Sequence, residues 1–169
     1  MPISPLTQRF KALKAVTVVA AIVFAGTAQA QTGPFSGLAG RWTGTGTIAL
    51  NKGASKERLR CRAEYQVGNT GSTATIELRC ASDSYKFELH GNVRYQNGEV
   101  LGDWSESTRG AAGRVAGSIK GDKIDVRVDG QTFAALLSLT TKGDRQSIAI
   151  RAPSGSEMSE ASIALSRRS

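Results

Sequence analysis

Apolar and polar residues alternate along most of this chain, and that period of two leaves little room for any structure except β-strands. Trp42, Gly44, Gly46, Ile48 and Leu50 share one parity, while Arg41, Thr43, Thr45 and Thr47 take the other. Leu59, Cys61, Ala63, Tyr65 and Val67 alternate with Arg58, Arg60, Arg62, Glu64 and Gln66 in the same way. The pattern continues through Ala74–Cys80, Tyr85–Tyr95, Val100–Trp104, Val115–Ile119, Ile124–Val128, Phe133–Leu139, Ile148–Ile150 and Ile163–Leu165. Such alternation marks a strand with one buried and one wet face. A long helix has no place, because glycines, 19 in all, punctuate these runs, and each costs about 1 kcal/mol against alanine in a helix interior.

Turn-forming clusters separate the runs. Asn69-Thr70-Gly71-Ser72, Ala81-Ser82-Asp83, Lys120-Gly121-Asp122 and Thr141-Lys142-Gly143-Asp144 read as turns. Asn97-Gly98 and Asp129-Gly130 suit hairpin turns, since both supply residues that accept positive φ. Ser105–Ala112 reads as a longer loop, as does Ala152–Glu160 before a last strand over Ala161–Ser166. About nine or ten short strands at hairpin spacing predict a small all-β domain, an antiparallel meander β-barrel or alternatively a two-sheet β-sandwich. Short turns favour the barrel, which also leaves no exposed edge.

Residues 1–30 have the parts of a cleavable signal peptide. Arg9, Lys11 and Lys14 precede the apolar run Ala15–Gly26, and Ala28-Gln29-Ala30 offers a small-x-small cleavage site. The run is too short to span a bilayer as a helix, which takes roughly 20 residues; a retained N-terminal anchor is the competing reading. The mature chain would then have 139 residues, and loss of those three cations lowers the formal charge from +8 to +5. Residues 31–39 read as a flexible N-terminal segment and 40–168 as one domain, large enough to bury a core. The mature part has no apolar stretch long enough for a transmembrane helix and is expected to be soluble.

Export brings the chain to an oxidising compartment, where Cys61 and Cys80 are read first as one disulfide rather than two free thiols. If they face each other across an antiparallel ladder, Ala63 faces Leu78, Tyr65 faces Ile76, and the chain reverses at Thr70-Gly71. A diagonal bridge, with the register shifted by two, is the alternative. On the wet face, Arg62 would oppose Arg79 and Glu64 would oppose Glu77, with opposite-sign diagonals Arg62–Glu77 and Glu64–Arg79. The compartment is expected to be the periplasm, or alternatively the medium or cell surface.

No catalytic or metal-binding constellation stands out, and no cofactor is expected. His90 is the one histidine and has no ligand at metal spacing. Glycines and serines fall in no nucleophile or phosphate-binding motif. Glu106 shares parity with Trp104, so a regular strand would carry its carboxylate toward the interior, where desolvation could make it an acid. The bland alternative ends the strand at Ser105 and leaves Glu106 in a loop. Trp42, Trp104, Tyr85 and Phe87 lie on inward parities and are candidates to line a pocket for a small ligand. Arg58, Arg60, Arg62 and Arg79 form an outward basic face that could contact an anionic surface. Nucleic acid is not expected, because Glu64 and Glu77 interrupt that face and no exposed aromatic set stacks bases.

The runs Gly40-Arg41-Trp42-Thr43-Gly44, Glu57–Tyr65, Leu78–Ser82, Lys86-Phe87 and Gly102–Glu106 resemble a group of uncharacterised exported proteins of alphaproteobacteria. At fold level, an early Gly-x-Trp strand in a meander resembles the calycin barrels, namely lipocalins, avidins and small periplasmic protease inhibitors. That resemblance implies a lipocalin-like barrel that binds a small ligand or a protein and needs no catalytic residue; no ligand-binding residues carry over from it. The functional expectation is a non-catalytic periplasmic binding protein. An envelope-associated structural protein using its basic face is the alternative.

Overall fold

The computed structural model describes residues 33–50, 55–153 and 155–169; the proposed leader over 1–30 lies outside them. Ten strands follow in chain order: β1 (Gly40–Leu50), β2 (Glu57–Val67), β3 (Thr73–Ala81), β4 (Lys86–Gln96), β5 (Glu99–Glu106), β6 (Ala111–Lys120), β7 (Lys123–Gly130), β8 (Ala134–Lys142), β9 (Arg145–Arg151) and β10 (Met158–Arg167). Each pairs antiparallel with its neighbour in sequence, and β1 pairs with β10, so the sheet closes into a ten-stranded antiparallel barrel. The sandwich alternative is thereby removed. Among the described residues no helix is long and apolar enough to cross a membrane.

The seam between β1 and β10 needs unusually close backbones. A Cβ on Gly44 or Gly46 would run into the carbonyls of Ala164 and Ser162. Glycines in strands permit such close approach and the tight coiling that closure requires. The inward parities then fill the interior with Trp42, Ile48, Leu59, Leu78, Val100, Ile163 and their neighbours, all buried.

Cys61 faces Cys80 in the expected register, with Ala63 opposite Leu78 and Tyr65 opposite Ile76, and the two cysteines are joined as a disulfide. Arg62 opposes Arg79 and Glu64 opposes Glu77, but the ion pairs are not the diagonals. Glu64 instead pairs at 3.3 Å with Arg41, its direct partner across β1 and β2, and Glu77 pairs at 3.7 Å with Arg79 on its own strand. β2 has β1 on its other edge, and Arg41 of β1, directly opposite Glu64, takes that carboxylate.

Three boundaries differ from the sequence-based expectation. Asn97 and Gly98 do form a two-residue turn at positive φ, but Asp129-Gly130 ends a strand, and the chain reverses over 131–133. Gly130 is there because a Cβ would meet the Ala112 carbonyl. The expected loop over Ser105–Ala112 is shorter, since β5 runs through Glu106, which pairs with Ala111. The last strand likewise begins at Met158 rather than Ala161.

Of the segment 31–39, residues 33–39 are packed against the barrel. Gly33 and Phe35 donate backbone hydrogen bonds to Thr70 and Gly71, at 2.9 Å each, and a short 3-10 helix covers Ser36–Leu38. Phe35 and Leu38 are buried across one end of the barrel. That end carries the turns 68–72, 97–98, 121–122 and 143–144, so every odd-numbered strand starts at it and runs away from it.

Candidate functional site

The opposite end of the barrel carries the connections 82–85, 107–110 and 131–133, together with residues 155–157 ahead of β10, and here the interior is not filled. A cavity of about 260 Å³ is walled by Tyr85, Phe87, Leu89, Trp104, Phe133 and Met158, among others, with Glu106, Arg109 and Glu157 also lining it. Beyond it lies an entirely apolar space of about 80 Å³ that shares Leu89, Trp104, Val128 and Leu137 as walls and ends on Phe35, Leu38 and Tyr65. A larger depression of about 500 Å³ runs over the outer strand faces at Thr75, Asn92, Arg94 and Asp103. It is a groove on a polar surface, whereas ligand sites are concave and mainly apolar with a few placed polar groups.

Local bonding fixes the aromatic walls. The 82–85 turn is held by Glu57, which accepts from the Ser82 hydroxyl at 2.6 Å and from the Ser84 N–H at 3.2 Å. Ser82 in turn accepts from the Tyr85 N–H at 3.1 Å. Tyr85 and Phe87, two apart on one parity, lie 6.3 Å apart as a tilted pair. Trp104 meets Phe133 edge-on at 5.7 Å, and its indole N–H points to the Asp129 carbonyl at 3.4 Å. Edge-to-face arrangements of this kind are the favoured ones for aromatic pairs.

The polar part of the mouth centres on Glu106. It is the last residue of β5, buried, and its carboxylate accepts the backbone N–H groups of Glu88 (2.9 Å), Thr108 (3.0 Å) and Arg109 (2.9 Å) as well as the Thr108 hydroxyl. Desolvation pushes this carboxyl up, but those hydrogen bonds outweigh it and hold it below the usual carboxylate range. The inward-pointing reading of Glu106 is therefore the one that matches its place, and its loop reading is not. An ionised carboxylate with its lone pairs committed to the backbone anchors a turn, and it has no proton to give at neutral pH.

Arg109 extends from that turn. Its guanidinium lies 4.1 Å from the centre of the Tyr85 ring. Nη1 donates to the Lys86 carbonyl at 3.0 Å and the Thr108 hydroxyl at 2.9 Å, and Nε donates to Glu157 at 2.9 Å. Burial pushes the Tyr85 phenol above its usual value, and the guanidinium draws it part of the way back.

Of the four aromatic candidates, Trp104, Tyr85 and Phe87 come together at this cavity; Trp42 does not. It is the third residue of β1 and so sits at the plugged end, fully buried, donating to the Leu38 carbonyl at 2.8 Å and covered by the Arg167 guanidinium at 4.3 Å. Trp104 is the sixth of eight residues on β5, which runs in the same direction, and so lies toward the far end. Arg109, Glu157, Phe133 and Met158 were not singled out from the sequence. Phe133 carried an inward parity, but the other three stand in or beside turns, where alternation gives no direction.

Arg58, Arg60, Arg62 and Arg79 are all exposed on the outer face of β2 and β3, and among the described residues only Arg79 has an ion pair. His90 is exposed on the outside of β4. No group of three or more His, Cys, Asp or Glu side chains able to hold a metal occurs among the described residues.

The sequence matches no protein-family model and no curated protein. Among solved structures, the barrel is similar to that of Rv2717c from M. tuberculosis, with a TM-score of 0.63 and 17% identity over 79% of this chain and 94% of that one. At that identity the likeness carries the fold alone.

Proposed function

We propose that this is a non-catalytic binding protein of the periplasm that takes a small, mainly apolar ligand into the unplugged end of its barrel. The observation that carries the reading is the cavity of about 260 Å³ with Tyr85, Phe87, Trp104, Phe133 and Met158 as walls, backed by a further apolar space of about 80 Å³. Together they lie at the small end of ordinary ligand cavities, roughly 300–1,000 Å³. The commitment of Glu106 to three backbone N–H groups speaks for a structural carboxylate rather than a catalytic one. Placement outside the cytoplasm rests on the leader pattern in residues 1–30 and on the Cys61–Cys80 bridge. The early Gly-x-Trp strand of a closed meander supports a calycin-like, lipocalin-like grouping.

The neutral fluorophore N-phenyl-1-naphthylamine tests the reading. It is expected to bind saturably at one equivalent, with enhanced emission and quenching of Trp104. Ala111 is a buried wall residue of the cavity, so Ala111→Trp should abolish the binding while the far-UV dichroism stays that of a β-barrel. No saturable binding, or equal binding by the filled variant, would sink the proposal.

A second reading is favoured by Arg58, Arg60 and Arg62, exposed together with no ion pair among the described residues: an envelope-associated protein that rests this face on an anionic surface. It predicts adsorption to phosphatidylglycerol vesicles that weakens with salt and in the Arg60→Ala/Arg62→Ala variant. Adsorption indifferent to both would remove it.

A further inference from the structure

We propose that Arg109 receives the carboxylate of an apolar-bodied organic acid, and that Glu157 is the internal carboxylate this ligand displaces. The inference rests on the reading of the cavity as a ligand site and names the chemical class that site selects.

The two acidic neighbours of Arg109 are unequal. Glu106 stands 3.6 Å from Nη1, but its oxygens are already taken by the N–H groups of Glu88, Thr108 and Arg109 itself. It fixes where Arg109 starts and does not use the guanidinium's outer edge. Nη1 is likewise committed, to Lys86 and Thr108, and the guanidinium lies over Tyr85. The group is thus held in place before any ligand arrives, which lowers the ordering cost of binding.

The remaining edge is Nε with Nη2. A guanidinium presents these as two parallel donors that match both oxygens of one carboxylate. Here Nε donates to a single oxygen of Glu157 at 2.9 Å, while Nη2 makes no hydrogen bond among the described residues. The edge therefore already carries a carboxylate, held by one bond where two fit. Glu157 is the weakly held partner, with its side chain 62% exposed against 34% for Arg109, and an exposed ion pair of this kind contributes little. A ligand acid seated on Tyr85, Phe87 and Trp104 could place both oxygens on this edge and return Glu157 to water at small cost.

Displacement of N-phenyl-1-naphthylamine by 4-phenylbutyrate and by its uncharged twin 4-phenylbutyramide tests this at pH 7 in low salt. The acid should compete at least about tenfold better than the amide in the wild type. Arg109→Gln should remove that preference, read as the acid-to-amide affinity ratio within the variant. Glu157→Gln keeps Arg109 and removes the competing charge, so it should raise the acid-to-amide ratio several-fold. Equal affinities for acid and amide, or a preference that survives Arg109→Gln, would overturn the assignment while bound fluorophore keeps the cavity reading intact. Failure of the fluorophore itself to bind would remove both.

Discussion

Replacing Glu106 by glutamine isolates what a single carboxylate does at the mouth of this barrel. One oxygen accepts the Glu88 N–H at 2.9 Å, the Thr108 N–H at 3.0 Å and the Thr108 hydroxyl; the other accepts the Arg109 N–H at 2.9 Å. Glutamine keeps one oxygen and turns the other into an NH₂ group facing the Arg109 N–H. A backbone donor left without an acceptor costs about 1–3 kcal/mol when it is buried, and the bond lost here, from the Arg109 N–H, is part-buried. With a urea slope of roughly 1–3 kcal/mol per molar, a loss near the middle of that range lowers the midpoint by about 1 M. The sign with pH follows from the depressed carboxyl. Its contribution is complete above the unfolded value, about 4.3, and is lost as pH falls through the lower folded value. The gap between wild type and Glu106→Gln should therefore hold from pH 7 to about 5 and close on further acidification. Urea titrations across that series decide the matter. A gap below about 0.5 kcal/mol at pH 7 would refute the anchoring role. One that vanishes already near pH 6 would refute the depressed carboxyl, since that behaviour belongs to a group poised as an acid.

The Cys61–Cys80 bridge spans 19 positions, and closing a loop of that length constrains the unfolded chain by about 3 kcal/mol. The Cys61→Ser/Cys80→Ser variant should lose about that much in urea, with wild type plus reductant falling to the same midpoint; an unchanged midpoint would mean the core alone holds the hairpin. Tyr65 donates to Gln146 at 2.7 Å across the interior. Tyr65→Phe should cost about 1–3 kcal/mol by orphaning that amide oxygen, and a neutral result in thermal unfolding would mean that water or a rotated amide replaces the phenol.

What lies within one strand or one hairpin was legible in the chain itself. The two-residue period assigns each side chain to a face, so the inward Ala63, Leu78 and Trp104 and the outward Arg60 and Arg62 follow from parity. The cysteine pair sets a register because opposed positions in a ladder must sum to one constant, and Asn97-Gly98 makes a turn because its residues accept positive φ. Parity is silent on position along the barrel axis. Trp42 and Trp104 have the same inward sense, yet one seals the plugged end and the other walls the cavity. The reason is that β1 and β5 run the same way, while Trp42 stands near the start of its strand and Trp104 near the end of its own. The ion pair of Glu64 likewise depended on which residue of β1 came to lie opposite it, whereas Glu77 pairs with Arg79 within its own strand. The mouth cluster of Glu106, Arg109 and Glu157 joins positions up to 51 apart, from a strand end and two separate connections. Alternation defines the strands, but only closure of the barrel brings its loops to a common rim, and that is where the charged groups of the site meet.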